Sequence, residues 1–422
     1  MISANNPDLT SWVEVPENSH FPIQNLPFGI FKHEGEAPRV GVAIGDHIVD
    51  LYMLNLNGFL DAFDLPVSIV QSESLNNLIK LGKEKTRMLR NRISELLSAG
   101  NTEIASLPDV YGKYLLPMNQ AEMLLPVEIG DYTDFYSSEV HATNVGKMFR
   151  PDNPLLPNWK HIPVGYHGRS SSIVISGTDF HRPKGQLMPP DATAPVFGAT
   201  QRMDFELEMA FITCEGKALG NSISVKEAEE YIFGMVVFND WSARDIQKWE
   251  YVPLGPFLAK NFASSVSPWV VTLDALEPFR TAGPVQEPEV LDYLKTEKNK
   301  NIDINLEVYL QPEGGKEYRI CRSNYKHMYW NMNQQLAHQT VNGCNVRAGD
   351  MYASGTISAP AEDGYGSMLE LTWGGKNPMQ LPDGSERKFL LDGDSIIMTA
   401  WSEKDGIRVG FGEVRSKILP AL

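Results

Sequence analysis

The chain has 422 residues, of which 42% are hydrophobic, so it is long enough for a globular protein of two domains, and a single small module is excluded. Its 53 acidic residues outnumber its 37 basic residues, and the formal net charge of −16, without a Lys/Arg cluster, argues against nucleic acid as a partner. The apolar stretches are too short to span a membrane and no signal pattern opens the chain, so we expect no membrane association and a cytoplasmic location.

The first predicted elements are short strands between residues 28 and 52, with a turn at Gly45 and Asp46. They indicate a small sheet or barrel at the N-terminus. An amphipathic helical region is predicted over 74–99, with Gly100 as its C-cap. The aperiodic stretch 115–126 then predicts a boundary that divides the chain into an N-terminal domain, 1–125, and a catalytic domain, 126–422.

The second domain reads mainly as short strands separated by Gly and Pro turns. The prolines of the loop 182–195 disfavour a central strand there. Two helices are predicted to interrupt the strands. One opens with a capping box from Ser224 to Glu227, and the other spans about 328–341 and stops near Gly343.

The stretch 203–211 alternates strictly between apolar and acidic or small residues. On a strand this pattern places Asp204, Glu206 and Glu208 on one face, with neighbouring acids about 7 Å apart. Glu206 and Glu208 can therefore converge on one cation. An acidic strand facing solvent would give the same alternation, so it stays an alternative.

Two further acids stand close to motifs of the same region. Asp240 ends an apolar strand, and Asp134 comes shortly before His141. Together with Glu206 and Glu208 they would form an all-oxygen cage, which favours Ca²⁺ or Mg²⁺ over zinc or copper.

The three cysteines are widely spaced and form no C-x-x-C motif. Neither a disulfide framework nor a zinc site is indicated. We expect all three to be small buried hydrophobic side chains: Cys214, Cys321 and Cys344.

Eight segments, taken together and in order, resemble the fumarylacetoacetate hydrolase family. They cover residues 131–138, 141–146, 164–172, 206–210, 239–251, 253–257, 353–358 and 366–371. The resemblance implies a mainly β (α+β) fold, in which an N-terminal SH3-like barrel precedes a C-terminal mixed β-roll, and it implies a homodimer. The implied reaction is metal-dependent hydrolysis of the carbon–carbon bond of a β-diketo dicarboxylate, 4-fumarylacetoacetate, to fumarate and acetoacetate, the last step of tyrosine and phenylalanine catabolism.

The resemblance also implies roles for individual residues. The cation ligands map onto the same four acids as above, His141 becomes the general base, and Glu370 becomes the carboxylate that orients it. Alternation predicts Glu370 on a strand, on the same face as Met368 and Thr372. Taken alone, a histidine or a strand acid of this kind would be an ordinary packed or exposed residue.

The remaining implied roles concern the substrate and a second cation. The donors to the oxyanion are Arg244, Gln247 and Lys260, and Lys260 also protonates the departing acetoacetate carbon. The substrate-binding positions are Tyr136, Arg150, Tyr166, Gln247, Tyr251 and Thr356. A second, structural magnesium site would involve Lys260 and Ser264, at a point where the animal enzymes of the family have Gly-Thr and this chain has Ala263-Ser264.

Two other functions remain open at this stage. The chain could be a related acylpyruvate hydrolase, hydratase or decarboxylase, since those enzymes share the acidic metal site. It could also be a non-catalytic cation-binding scaffold. A scaffold has no need of a base, its orienting acid and oxyanion donors together, which favours an enzyme.

Overall fold

The structure is a computed structural model that describes residues 2–422. Five N-terminal strands form one antiparallel sheet, and the predicted turn at Gly45 and Asp46 joins two of them. Gly45 has a φ of +53°, which a residue with a side chain rarely adopts. The strands, in their order across the sheet, are Leu115–Pro117, His47–Asp50, Arg39–Ile44, Phe28–Lys32 and Glu122–Leu124.

The helices are mostly short. The region predicted as helical over 74–99 consists of two helices, because Gly82 between them has a φ of +86°. The second helix ends at Leu97, and its C-cap is Ser98, two residues before the predicted cap at Gly100. The α-helical segments are Leu51–Leu56, Val67–Val70, Asn76–Ile79, Lys83–Leu97, Val110–Lys113, Glu139–Phe149, Arg244–Glu250, Leu273–Leu276, Met332–Thr340 and Met368–Leu371.

The C-terminal part contains two large sheets. The first has eight strands, seven of them in the order Gly165–His167, Tyr132–Phe135, Met351–Ala353, Leu207–Thr213, Ile232–Asp240, Ser264–Val266 and Ile173–Ile175, with Val271–Thr272 beside Ile232–Asp240. The second has five strands, in the order Tyr318–Asn324, Asn305–Gln311, Ser395–Lys404, Ile407–Leu419 and Phe180–His181. The two-stranded sheets are Lys184–Leu187 with Val196–Ala199, Met203–Asp204 with Ser242–Ala243, Arg280–Thr281 with Asn301–Ile302, and Met379–Gln380 with Glu386–Arg387.

The eight-stranded sheet is buried on both faces. In the strand Leu207–Thr213, Met209 and Phe211 belong to the core shared with the five-stranded sheet. The alternate residues Ala210 and Ile212 belong to a second core, which includes the N-terminal strands and helices. The expected fold class, an N-terminal barrel-like sheet followed by a mixed β-roll, is confirmed; the domain boundary near residue 125 stays a prediction.

Two details of the predicted helices are wrong. Ser224 and Glu227 form no helical start: Glu227 accepts hydrogen bonds from the Ser224 N–H and hydroxyl, and only a 3₁₀ turn, Ala228–Tyr231, follows. The helix predicted over 328–341 begins later, at Met332, because Asn331 caps it.

The cysteine prediction holds in part. Cys214 and Cys321 are buried and unpaired, whereas Cys344 is partly exposed. The stretch 182–195 contains the strand Lys184–Leu187 and the proline-containing loop that joins it to Val196–Ala199 in a small separate sheet, so it supplies no central strand of a large sheet, as predicted. In the described part of the chain, 2–422, no helix is long and apolar enough to cross a membrane.

Candidate active site

Four carboxylates meet at the ends of neighbouring strands of the eight-stranded sheet. Asp134 lies on Tyr132–Phe135, Asp240 is the last residue of Ile232–Asp240, and Glu208 is the second residue of Leu207–Thr213. Glu206 stands just before that strand. One oxygen of each lies within 4.8 Å of one oxygen of every other, and all four side chains are buried.

The sheet register explains why the acids converge. Asp134 is paired with Ala353, Ala353 with Ala210, and Glu208 with Phe238, two residues before Asp240. Since side chains alternate between the faces of a sheet, Asp134, Glu208 and Asp240 point to one side. The alternative of a solvent-facing acidic strand is wrong, because every residue of Leu207–Thr213 is buried.

These residues fit a hard divalent cation. Asp134 Oδ1 and Glu208 Oε1 are buried and have no hydrogen-bond partner among the described residues. Burial, together with the neighbouring carboxylates, raises the pKa of Asp134 and of Glu208 well above the usual range. A cation with oxygen ligands would supply the partner that both atoms lack and would favour their charged forms.

Two basic side chains offset only part of this negative charge. The Lys260 ammonium lies 2.8 Å from Glu206 Oε2 and 2.8 Å from Asp240 Oδ2. Arg244 Nη1 lies 2.6 Å from Glu206 Oε1. Burial alone would raise the pKa of Glu206, but the charges of Lys260 and Arg244 lower it below its usual range. The same carboxylates raise the pKa of Lys260 against the effect of burial, so its ammonium stays charged.

A histidine and a carboxylate form a buried pair beside this cluster. His141 lies in the first turn of the helix Glu139–Phe149, which Ser138 caps. Its Nδ1 lies 2.7 Å from Glu370 Oε2, and both side chains are almost fully buried. When Nδ1 carries the proton and its N–H donates a hydrogen bond to Glu370, Nε2 is left free to accept a proton.

Glu370 lies on a helix, and the strand predicted for it is wrong. Ser367 caps the four-residue helix Met368–Leu371 by accepting a hydrogen bond from the Glu370 N–H. A segment this short fits strand alternation and a helical turn equally well, so the pattern could not separate them.

The Glu370 carboxylate is held by several donors besides His141. They are Asn144 at 3.1 Å, Ser367 at 2.9 Å and Ser358, whose hydroxyl lies 2.9 Å and 3.0 Å from the two oxygens. Burial by itself would raise the pKa of Glu370, but the charge of His141 and these hydrogen bonds lower it. The Glu370 carboxylate is therefore kept ionised.

The predicted oxyanion donors are brought together as expected from their spacing. Arg244 and Gln247 lie one turn apart on the helix Arg244–Glu250, and Arg244 Nη1 donates to Gln247 Oε1 at 3.3 Å. Lys260 joins them through Glu206, which Arg244 also contacts. Ser264 donates to Asp240 Oδ1 at 2.8 Å, so its hydroxyl faces the acidic cluster. A second cation at Lys260 and Ser264 stays a prediction.

The predicted substrate-binding residues fall into two groups. Tyr166 donates to Asp240 Oδ2 at 3.0 Å, and the ring of Tyr136 packs edge-on against His141, with 5.3 Å between the ring centroids. Thr356 is buried, and its hydroxyl has no hydrogen-bond partner in the described residues. Arg150 and Tyr251 lie exposed, and neither hydrogen-bonds to the acidic cluster; Arg150 donates to the Pro154 carbonyl.

Ala263, at the position where family members have glycine, has an ordinary backbone conformation. It is not among the residues with positive φ in the described chain, and its methyl group is buried in the main core.

We expect Ala263→Gly to lower the free energy of unfolding by about 1–2 kcal/mol, from greater backbone freedom and the lost methyl group. Denaturant unfolding measures this change in the free energy of unfolding, and kcat should stay within about twofold of the wild-type value. A variant more stable than the wild type would contradict the ordinary backbone conformation of Ala263.

Sequence reasoning missed several groups that support the site. Asp204 was placed on the same acidic face as Glu206, but it binds Arg244 instead of joining the four carboxylates. The backbone N–H of Gly355 donates to Glu208 Oε2 at 3.0 Å. Gly355, Ser358 and Ser367 all lie within the segments that carry the family resemblance, which was the available signal.

Comparison with known proteins identifies the chain's relatives. Residues 24–126 match the family described as fumarylacetoacetase N-terminal, and residues 132–419 match the family described as fumarylacetoacetate (FAA) hydrolase C-terminal. Fumarylacetoacetase of Bos taurus is 51% identical over 422 residues, which covers 98% of this chain and 99% of the bovine protein. That of Homo sapiens is 50% identical, with the same coverage.

A solved structure shows the same fold at low sequence identity. The fumarylacetoacetate hydrolase of the psychrophilic Exiguobacterium antarcticum is 18% identical and superposes with a TM-score of 0.52, covering 94% of this chain and 99% of that one. The two family matches together span most of the chain, and the curated relatives match over nearly their full length. The chain therefore belongs to the fumarylacetoacetate hydrolase family.

Proposed function

We propose that this chain is an enzyme that hydrolyses the carbon–carbon bond of 4-fumarylacetoacetate to fumarate and acetoacetate, the last step of tyrosine and phenylalanine catabolism. The observation that carries the proposal is 51% identity to bovine fumarylacetoacetase over nearly the whole of both chains. The buried pair of His141 and Glu370, next to four buried carboxylates, is the arrangement that such a reaction needs.

The reaction adds the elements of water across the bond that breaks. His141 Nε2 takes a proton from water, and the remaining hydroxide attacks the carbonyl carbon that becomes the new carboxyl group of fumarate. Glu370 holds the imidazole in position and stabilises its protonated form. The electron pair of the broken bond remains on the acetoacetate carbon, which receives a proton from Lys260, the ammonium group beside the acidic cluster. His141 then releases its proton to solvent and Lys260 takes one up, which returns the enzyme to its starting state.

Two sets of groups stabilise the negative charge that develops. Arg244 and Gln247, on one helical turn, and Lys260 would donate to the oxyanion. Asp134, Glu206, Glu208 and Asp240 would hold Ca²⁺ or Mg²⁺. When bound there, the cation would act as a Lewis acid toward the diketone oxygens.

Three residues are proposed to bind the substrate from the buried side. Tyr136 contacts His141, Tyr166 donates to Asp240 of the acidic cluster, and the Thr356 hydroxyl has no partner among the described residues. Arg150 and Tyr251 are proposed to reach the substrate's carboxylate ends from the exposed side, where a guanidinium suits a dicarboxylate. We place the protein in the cytoplasm and treat 1–125 and 126–422 as its two domains.

The decisive experiment is turnover by the purified protein. Fumarylacetoacetate absorbs through its conjugated β-diketone, so hydrolysis removes that absorbance and yields fumarate and acetoacetate in equal amounts. An acylpyruvate series under the same conditions is the comparison. Equal or faster turnover of an acylpyruvate, with fumarylacetoacetate unchanged, would refute the proposed substrate.

We further propose that the protein is a homodimer that pairs through an exposed apolar surface. Leu254 is 96% exposed and Phe257 59%, on the segment that follows the helix Arg244–Glu250. Phe197, 75% exposed, lies on the nearby two-stranded sheet, which Trp249 joins by donating to Gln186. Monomeric proteins rarely expose neighbouring large apolar side chains, and a second copy of this chain would cover them.

Replacing Leu254 and Phe257 with aspartate is expected to convert the dimer into a monomer, because two charges would have to be buried in the interface. Mass measurement by light scattering after size-exclusion chromatography checks this. Leu219→Asp is the matched control, since Leu219 is also a highly exposed leucine, at 78%, but lies outside this surface. A wild-type chain that elutes at the monomer mass would remove the proposal.

A further inference from the structure

Asp204 lies between Arg244 and the short helix that carries Glu370, and it contacts both. Its side chain is completely buried. Asp204 Oδ2 accepts a hydrogen bond from Arg244 Nε at 2.8 Å. The same carboxylate accepts from the backbone N–H of Met368, at 2.6 Å to Oδ1, and of Leu369, at 3.0 Å to Oδ2.

The three partners of Asp204 belong to two different parts of the proposed active site. Arg244 is a proposed oxyanion donor and also contacts Glu206. Met368 and Leu369 form the first turn of the short helix that carries Glu370, the partner of His141. The Asp204 carboxylate therefore holds the Arg244 guanidinium on one side and the helix that carries Glu370 on the other.

The backbone around Asp204 strengthens this link. Asp204 lies on the two-residue strand Met203–Asp204, which pairs with Ser242–Ala243, directly before Arg244. The Leu207 N–H donates to the carbonyl of Gly366, which precedes the helix Met368–Leu371. Asp204 thus stands where the segments of Arg244 and Glu370 both meet the strand that carries the acidic residues.

We infer that Asp204 is a positioning residue, which holds Arg244 and Glu370 in a fixed relation across the active site. This inference rests on the proposed function. A carboxylate is required because all three groups that face it are hydrogen-bond donors. An asparagine would have to turn its NH₂ group toward at least one donor, so it cannot reproduce the contacts although it has nearly the same shape.

The test is Asp204→Asn, with kcat, KM and melting temperature measured in the intact protein. We expect kcat to fall about 10²-fold, as for catalytic groups displaced by about 1 Å, while KM changes less than about threefold. Adding Asp204→Asn to Glu370→Gln should lower kcat by much less than it does in the wild type, since part of its effect acts through Glu370.

Asp50→Asn is the matched control. Asp50 is a buried aspartate that also pairs with an arginine, Arg39, and accepts a helix N–H, from Met53, but it lies in the N-terminal sheet. We expect Asp50→Asn to lower the melting temperature at least as much as Asp204→Asn, with kcat per folded molecule unchanged. Equal kcat losses in the two variants would mean that Asp204 acts only through stability, which overturns the inference.

The other outcomes are equally decisive. If the wild-type protein hydrolyses fumarylacetoacetate and Asp204→Asn retains its kcat, the positioning role is refuted while the proposed function stands. If the wild type has no such activity, the proposed function itself fails. Should Asp204→Asn not fold, Asp204→Ser, which leaves room for a water molecule, is measured against Asp50→Ser with the same expectations.

Discussion

Replacement of His141 by alanine is expected to lower kcat by about 10² to 10⁴, the range found when a general base is lost. Glu370→Gln should fall in the same range, because the amide cannot stabilise the protonated imidazole that forms when water is activated. KM should change little, since neither residue is assigned to the substrate's carboxylates. Steady-state kinetics on fumarylacetoacetate measure both effects.

The double variant separates a catalytic pair from two structural residues. His141 and Glu370 lie 2.7 Å apart and act on the same step, so the double variant should be scarcely slower than the slower single variant. Asn144→Asp is a useful companion, because it would place a second carboxylate beside Glu370 where an amide now donates. Multiplicative losses in the double variant, or near-normal kcat in either single variant, would remove the pair from the mechanism.

Removal of divalent cations is expected to abolish turnover and to lower the melting temperature. A ligand that binds only the folded protein stabilises it by about 2.7 kcal/mol at a concentration one hundred times its dissociation constant. Calorimetry with and without a chelator, followed by re-addition of Ca²⁺ or Mg²⁺ and elemental analysis, measures this effect and identifies the ion.

Glu208→Gln should change protein stability in opposite directions with and without the cation, which gives this experiment an internal control. Glu208 Oε1 is buried without a partner, among three other acids. In chelator near pH 7 the variant should be more stable than the wild type: burial and the neighbouring carboxylates raise the pKa of Glu208, which makes folding with this acid unfavourable, and an amide escapes that cost. With the cation present it should be less stable, because a ligand has been lost. Unchanged turnover of the wild type after exhaustive chelation, with no metal found, would contradict the proposed site.

Much of this site could be predicted from the sequence because two of its four clustered acids follow the alternation of a strand. Glu206 and Glu208 were recognised from alternation, and Asp240 from its place at the end of an apolar strand. The alternative in which the acidic side of the strand faces solvent is wrong, because the N-terminal core covers that side. Alternation reports which residues share a face, but it carries no information about what lies against that face.

The other features that the sequence pattern did not predict also depend on contacts outside the segment in question. The helix of Glu370 is a single turn of four residues, and so short a segment does not allow a helical pattern of apolar residues to be distinguished from a strand pattern. Alternation places Asp204 on the same face as Glu206 and Glu208, but the strand is interrupted at Phe205 and Glu206, and the Asp204 side chain contacts Arg244 instead. The contact of His141 with Glu370 joins residues 229 positions apart, and only the family resemblance could suggest it.

The second core contains residues of both the N-terminal sheet and the eight-stranded sheet, so inherited or engineered substitutions in one sheet can affect the stability of the other. Ala210, Phe238 and Met351 of the catalytic part pack in one cluster with residues such as Phe28 and Val42 of the N-terminal sheet, and Phe28 also exchanges backbone hydrogen bonds with Val270. The two parts should therefore unfold together, in one cooperative transition. A substitution in the N-terminal sheet, far along the chain from every catalytic group, would then reduce the amount of active enzyme by lowering the folded fraction, with normal kinetics in the molecules that remain.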